Sequence, residues 1–343
     1  MHPTGDPLEA LVGDPSAEVR AAVAGNPAAE GILEALADDR EELVRVALAS
    51  NEKLPAAIQE RLLRDPSRYV LEALAKNPSA EPGVLRALAG HPDEWIRRAV
   101  ASNRSAPKEL LTDLSRNGSE NVKLALASNP KTPPEVLLSL AGSAGERLKL
   151  ALASNPNAPE SLLRMLSRES SREILLALAE NVSCPPEVLM SLAKAGDPEI
   201  KAAVARNPRA PQDVFDELAR SGNVYLMMIA AIDPRTRVET LRELLLSGDP
   251  EVKDMLVLNP RFSPDLLRNL IEEPTPLLKV LMALDPRTSP ATLRELSREE
   301  DEDIRLAVAL NPSTPADVIS ELSKDPDRLV REVAFERIFG GSG

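Results

Sequence analysis

One position constrains this chain more than any other. Asn26, Asn51, Asn77, Asn103, Asn129, Asn155, Asn181, Asn207, Asp233, Asn259, Asp285 and Asn311 are spaced by 25 residues once and by 26 thereafter, and most are followed by proline. A fixed period of this length marks a repeat architecture, in which each unit buries its apolar face against its neighbours. Two ordinary domains in 343 residues would need thick cores, yet 2% of the residues are aromatic and 31 are proline.

Each period carries two short apolar blocks. Before the turn, Val122, Ala125 and Leu126 lie three and four residues apart, and after it Val136, Leu137 and Leu140 do the same, so each block predicts a helix of two to three turns with one buried face. The Asn-Pro pair reads as a stop signal: asparagine tolerates the left-handed conformation that ends a helix, and proline cannot continue one. Thr132-Pro133-Pro134-Glu135, echoed at Thr314-Pro315-Ala316-Asp317, reads as a start signal, with threonine as the N-cap, proline at the first helical position and a carboxylate at the third. Glu109, Glu187, Asp213, Glu239 and Asp265 recur at that third position, facing the positive end of the helix dipole.

Helices this short are marginal alone, so the expected fold is an all-α solenoid of about twelve 26-residue, two-helix repeats with no β-sheet. Leu62, Leu88, Leu114, Leu140, Leu166, Leu192, Leu218, Leu244, Leu270, Leu296 and Leu322 share one position of the second helix. Ala99, Ala125, Ala151, Ala177 and Ala203 permit close approach of neighbouring first helices. At about 9–10 Å per layer, twelve layers make a body on the order of 110 Å along its curve. Residues 1–7 read as a tail, 8–339 as one continuous solenoid with terminal half-repeats as caps, and 340–343 as a linker or tag remnant. Phe335 and Phe339 enter where the last first helix has no Asn-Pro.

The unit Val-Arg/Lys-x-Ala-Val/Leu-Ala-x-Asn-Pro-x-Thr-Pro-x-x-Val-Leu-x-x-Leu-Ala, seen in Ile304 to Ser323 and Val122 to Ala141, resembles the leucine-rich repeat variant family. The resemblance implies a right-handed superhelix in which α-helices alternate with short α or 3₁₀ helices, serving as a binding or scaffold module. A described relative carries an N-terminal cysteine cluster for an iron–sulfur centre; this chain has no cysteine before Cys184, so that cofactor is not carried over and none is expected.

The net charge of −13 argues against a broad nucleic-acid or anionic-membrane footprint, which needs clustered Lys and Arg. No apolar run reaches membrane-spanning length, and the single cysteine excludes an intramolecular disulfide framework, so a cytoplasmic compartment is expected. Candidate chemistry is sparse. His2 and His91 are the only histidines, and Cys184 takes a repeat position filled elsewhere by small residues such as Ala80, Ala158 and Thr132, which makes it a packed residue. With no phosphate loop and no nucleophile beside a base, neither an enzyme nor a metal site is expected.

Recognition must come from departures from the repeat. The positions eight, five and one residues before the turn share one stripe of the first helix. The last of them is Ser50, Lys76, Ser102, Ser128 and Ser154 in the N-terminal half, but Ile232, Leu258, Leu284 and Leu310 in the C-terminal half, joined by Tyr225, Met228, Leu277, Val280 and Leu306. This is either a thicker core or an apolar groove for a partner helix or peptide. Arg209, Arg235, Arg261 and Arg287, two residues after the turn in four successive layers, read as a basic line for an acidic peptide, or as partners of Asp233 and Asp285. Leu43, Tyr69 and Trp95 share a position in adjacent layers, as an interface anchor or as packing near a cap. The expected function is a non-enzymatic protein- or peptide-binding scaffold working through the C-terminal half. The alternatives are a nucleic-acid-binding or DNA-repair helical-repeat protein of the HEAT-like type and an engineered repeat scaffold without a natural partner.

Overall fold

The computed structural model describes residues 8–142, 144–247, 249–270 and 274–339, so both terminal tails and His2 lie outside the described residues. Among those described, every regular element is helical. Contacts divide the chain into two compact units, residues 1–188 and 189–343. In the first, first helices run from Ala17–Ala24 through Glu42–Ala49, Arg68–Lys76, Glu94–Ser102, Glu120–Ser128 and Glu146–Ser154 to Arg172–Glu180, each packed on the next. In the second they are Pro198–Arg206, Val224–Ile232, Pro250–Leu256, Pro276–Leu284, Glu302–Leu310 and Arg328–Phe339, stacked the same way. Second helices such as Pro134–Ala141 and Ala316–Leu322 form the other edge of each layer; they are α-helical, except for the 3₁₀ segment Pro27–Leu36.

The aliphatic residue seven before the turn is buried in every layer after the first, from Val44, Val70 and Ile96 to Leu278, Ile304 and Val330. The repeated leucines of the second helices are buried with it, apart from Leu270, whose side chain lies outside the described residues. Burying a Val or Leu side chain contributes about 1.5–3 kcal/mol, so the stack is held chiefly by these two rows.

The turn works differently from its sequence reading. Asn129 is extended, at φ −82° and ψ 117°, and among the described residues only a glycine, Gly222, has positive φ. The stop therefore owes nothing to a left-handed residue. The following proline disfavours the helical region for Asn129, and the side chain then holds the extended form. Its amide Nδ2 donates to the carbonyls of Ala101 at 2.8 Å and Asn103 at 3.0 Å, one layer back, while Oδ1 accepts the Lys131 N–H at 2.9 Å. Asn51, Asn77, Asn103, Asn155 and Asn181 repeat this pair of backward bonds in the first unit, as do Asn259 and Asn311 in the second. A helix end leaves carbonyls without intrahelical partners, and here a buried asparagine ladder supplies the donors.

The threonine start signal is likewise corrected. The helix begins at Pro134 with Pro133 at the cap, and no side chain caps it. The Thr132 hydroxyl points back instead and donates to the Leu126 carbonyl at 2.7 Å, which also accepts the Asn129 N–H at the end of the first helix. Thr236, Thr288 and Thr314 do the same to Ala230, Met282 and Val308. Ion pairs tie five of the first helices to the loop of the following layer, through Arg20–Asp39, Arg45–Asp65, Lys149–Glu169, Lys279–Glu299 and Arg305–Asp325.

Candidate functional site

Aspartate has no N–H to give, so the layers at 233 and 285 need another donor for the ladder. Arg235 provides it. Its Nη2 donates to Ala205 O at 2.6 Å and its Nη1 to Asn207 O at 2.9 Å, the carbonyls that an asparagine at 233 would reach, while Nε and Nη2 hold both oxygens of Asp233. The guanidinium also lies 4.6 Å from the centroid of the buried Phe215 ring. Arg287 repeats the arrangement with Asp285, donating to Val257 O at 3.0 Å and Asn259 O at 3.4 Å. In the last described layer Arg337, at the turn position itself, donates to Ala309 O and Asn311 O.

The expected basic line is therefore not an open one. Arg235 and Arg287 are spent on their own aspartates and on backbone carbonyls, and Arg209 also has partners. Only at Arg261, whose backbone N–H meets Asn259 Oδ1, is the side chain exposed without an ion pair among the described residues. Burial pushes the Asp285 carboxyl up, but the hydrogen bonds and charge of Arg287 outweigh it and hold it below the usual carboxylate range; Arg287 is raised in turn by Asp285.

The stripe along the first helices is exposed. Tyr225, Ile232, Leu258, Leu277, Leu284 and Leu310 keep 41–57% of their surface open to solvent across four successive layers of the second unit, which removes the thicker-core reading for them. Met228, Val280 and Leu306 lie half-buried between them. The face forms open depressions of about 370–530 Å³ in three places, one of 530 Å³ lying between Leu124 and Ser128 of one first-unit helix and Leu150 and Ser154 of the next. In the second unit, Pro276, Leu277, Val280 and Leu284 of one helix and Leu306, Ala307 and Leu310 of the next line 440 Å³, with Asp301 and Asp303 at one rim. In the first unit, Val46, Ser50, Tyr69, Glu72, Ala73, Lys76, Asn77 and Pro78 line 370 Å³.

Leu43, Tyr69 and Trp95 lie on the corresponding face of the first unit, each about half exposed. Arg68 lies over the Tyr69 ring at 5.1 Å and Arg98 over Trp95 at 5.0 Å, so both rings are braced by a neighbour and present their edges and remaining faces outward. The row one residue before the turn is inert there: the hydroxyls of Ser50, Ser102, Ser128 and Ser154 donate to carbonyls four residues earlier in their own helices. Two features that look separate in sequence thus occupy one helix face, Leu43, Tyr69 and Trp95 standing at the repeat position of Tyr225 and Leu277. The rim aspartates were not singled out by the repeat, because Asp301 reads as an ordinary N-cap, which it also is, accepting the Asp303 N–H at 2.9 Å.

The remaining sequence candidates have structural tasks. His91 Nδ1 accepts the Asp93 N–H at 3.0 Å just ahead of Glu94–Ser102, and Cys184 is fully buried in the row otherwise held by alanine and threonine. No cluster of metal-ligating side chains occurs among the described residues, and no described helix is long and apolar enough to cross a membrane.

Layered helix pairs with a backward hydrogen-bond ladder define an all-helical repeat protein. The leucine rich repeat variant family model matches residues 302–327, one first helix, turn and second helix. The matched unit's turn residue, buried aliphatics and helix pair recur at the same period along the chain. Among solved structures, one described as a leucine-rich repeat variant with a novel repetitive protein structural motif is 18% identical over 80% of this chain and 88% of that one, with a TM-score of 0.33. An engineered protein is 13% identical over 96% of this chain and 92% of that one, with a TM-score of 0.12. No curated protein matches the sequence.

Proposed function

We propose that the protein is a binding scaffold whose first-helix face in the second unit receives a protein segment. The observation that carries this reading is the run of six large, exposed apolar side chains at matching positions of four layers, Tyr225, Ile232, Leu258, Leu277, Leu284 and Leu310. The fold itself does not require them, because the first unit places glycine, serine, lysine or glutamate at the row where Ile232, Leu258, Leu284 and Leu310 stand. A row of large apolar side chains left open to solvent on one face points to an interaction site. A nucleic-acid role draws less support, since Arg235 and Arg287 are turned onto backbone carbonyls and away from any phosphate.

Serine is native to this row, so Leu258→Ser, Leu284→Ser and Leu310→Ser together remove the apolar face while leaving the packing of the layers intact. Selection from a random-peptide display library against the wild-type protein, with this triple variant as counter-target, is expected to enrich peptides that the variant does not hold. The variant's urea midpoint should stay close to wild type. Enriched peptides that bind both proteins equally would refute the assignment of the face.

A further inference from the structure

We infer that the segment taken up by this face is an amphipathic α-helix with apolar residues at heptad spacing and lysine or arginine along one flank. The inference rests on the binding reading above and adds the chemistry of the partner.

Backbone accounting selects the helix. Of the nine residues lining the 440 Å³ depression, seven (Pro276, Leu277, Val280, Leu284, Leu306, Ala307 and Leu310) have no side-chain hydrogen-bonding atom. An extended segment laid on them would bury N–H and C=O groups without partners, which is costly. The asparagine amides that might have gripped such a segment are committed: Asn259 gives both donors to Ala231 O and Asp233 O, and Asn311 gives both to Ala283 O and Asp285 O. A helix brings its own backbone bonds and offers only side chains. Its geometry also fits, because residues seven apart on a helix are separated by about 10.5 Å at a rise of about 1.5 Å per residue, close to the layer step of about 9–10 Å. One apolar residue per heptad then meets each of Ile232, Leu258, Leu284 and Leu310 in turn.

Charge selects the flank. Along the N-terminal ends of the first helices stand Glu251, Asp301, Glu302 and Asp303, and none of them is in an ion pair among the described residues. On the turn side, Asp233 and Asp285 are neutralised by Arg235 and Arg287, which leaves Arg261 as the unpaired charge. The groove thus has one acidic wall on a protein whose net charge is −13. Exposed pairs add little affinity, so this wall acts mainly on the choice and orientation of partner, while the apolar row holds it. An acidic peptide, the partner suggested by the arginine row in the sequence, would meet repulsion along that wall.

The test uses three labelled peptides spanning about three heptads, the reach of four layers. The first carries leucine at heptad positions with lysine flanks, the second has glutamate for each lysine, and the third is the lysine peptide interrupted by two prolines. Fluorescence anisotropy against the full chain is expected to show the lysine peptide binding at least about tenfold more tightly than the glutamate peptide. Its binding should weaken with rising salt, weaken in Glu302→Lys/Asp303→Lys, and vanish in the triple serine variant, which keeps the acidic wall and so controls for charge-driven adhesion. Equal binding of the lysine and glutamate peptides would overturn the charge selection, and equal binding of the proline peptide would overturn the helix. If the display selection yields face-dependent peptides that are neither basic nor helical, this inference alone fails. If it yields none that depend on the face, the binding reading beneath it fails as well.

Discussion

Replacing Arg235 by alanine should destabilise the second unit, and replacing Asp233 by asparagine in the same molecule should restore most of the loss. Arg235 gives the Ala205 and Asn207 carbonyls their hydrogen bonds at 2.6 and 2.9 Å and pairs with an Asp233 side chain that is only 17% exposed. Hydrogen bonds from a charged group contribute about 1.5–3 kcal/mol each, and partial access of water to a guanidinium that is 34% exposed lowers that by roughly half. The expected cost of Arg235→Ala is therefore about 2–4 kcal/mol, including the isolation of the Asp233 carboxylate beside two carbonyl oxygens. An asparagine at 233 carries the two donors itself, as Asn259 does toward Ala231 and Asp233. The double variant should then lie within about 1 kcal/mol of wild type, the residue being the lost stacking on Phe215. Urea denaturation followed by far-ultraviolet circular dichroism gives the order, and hydrogen exchange localises it, which matters because long repeat arrays need not unfold in one step. An Arg235→Ala variant as stable as wild type, or a double variant no better than Arg235→Ala, would refute the idea that the Asp-x-Arg pair replaces asparagine.

Four further expectations follow from the ladder and from the buried carboxylates. Asn129→Asp should cost about 2–4 kcal/mol by removing two buried donors, and Lys131→Arg in that background should recover part of it by rebuilding the Asp-x-Arg pair; urea midpoints of the three proteins decide this. Thr288→Val removes a buried donor to the Met282 carbonyl and should cost about 1–2 kcal/mol, whereas Thr→Val at the half-buried Thr112, whose hydroxyl only donates within its own helix, should cost less in the same assay. Asp39 is held low by its hydrogen bond to Arg20, and Asp325 is held low because Arg305 outweighs the upward push of burial. Depressed carboxylates stabilise the fold above their unfolded-state value of about 3.9 and lose that contribution as pH falls through the lower folded-state value, so stability should drop steeply below about pH 4. Asp254 has the opposite sign: burial raises it, with the Thr275 hydroxyl only partly opposing, so Asp254→Asn should raise the urea midpoint at pH 7 and the gain should shrink as pH falls.

The repeat and its buried rows were legible because they are local: the period of the asparagines and the three- and four-residue spacing of Val122, Ala125 and Leu126 need no tertiary knowledge. The mechanism of the corner was not legible for the opposite reason. Asn129 stops its helix through carbonyls 26 and 28 residues earlier, and Thr132 donates six residues back, so propensity rules for a left-handed cap and an N-cap threonine chose the wrong bonds. The arginine row misled in the same way. A usable signal was present, since both turn aspartates, 233 and 285, are followed two residues later by arginine, but Arg209 and Arg261 follow asparagines and blur it. The exposed stripe was visible as a change of residue type; whether it faced solvent depended on how each helix is rolled in its layer, which the alternation of small and large residues leaves open.

The ladder also gives the stack a direction. Wherever its partners are described within a unit, the donor belongs to the later layer and the acceptors to the earlier one. During synthesis each new turn therefore meets acceptors that have already been made, and layers can be added one at a time without waiting for sequence still to come. Shortening is unequal for the same reason. Cutting layers from the C-terminal side leaves spare carbonyls, which water satisfies easily, whereas cutting from the N-terminal side strands a buried amide that has lost both of its acceptors.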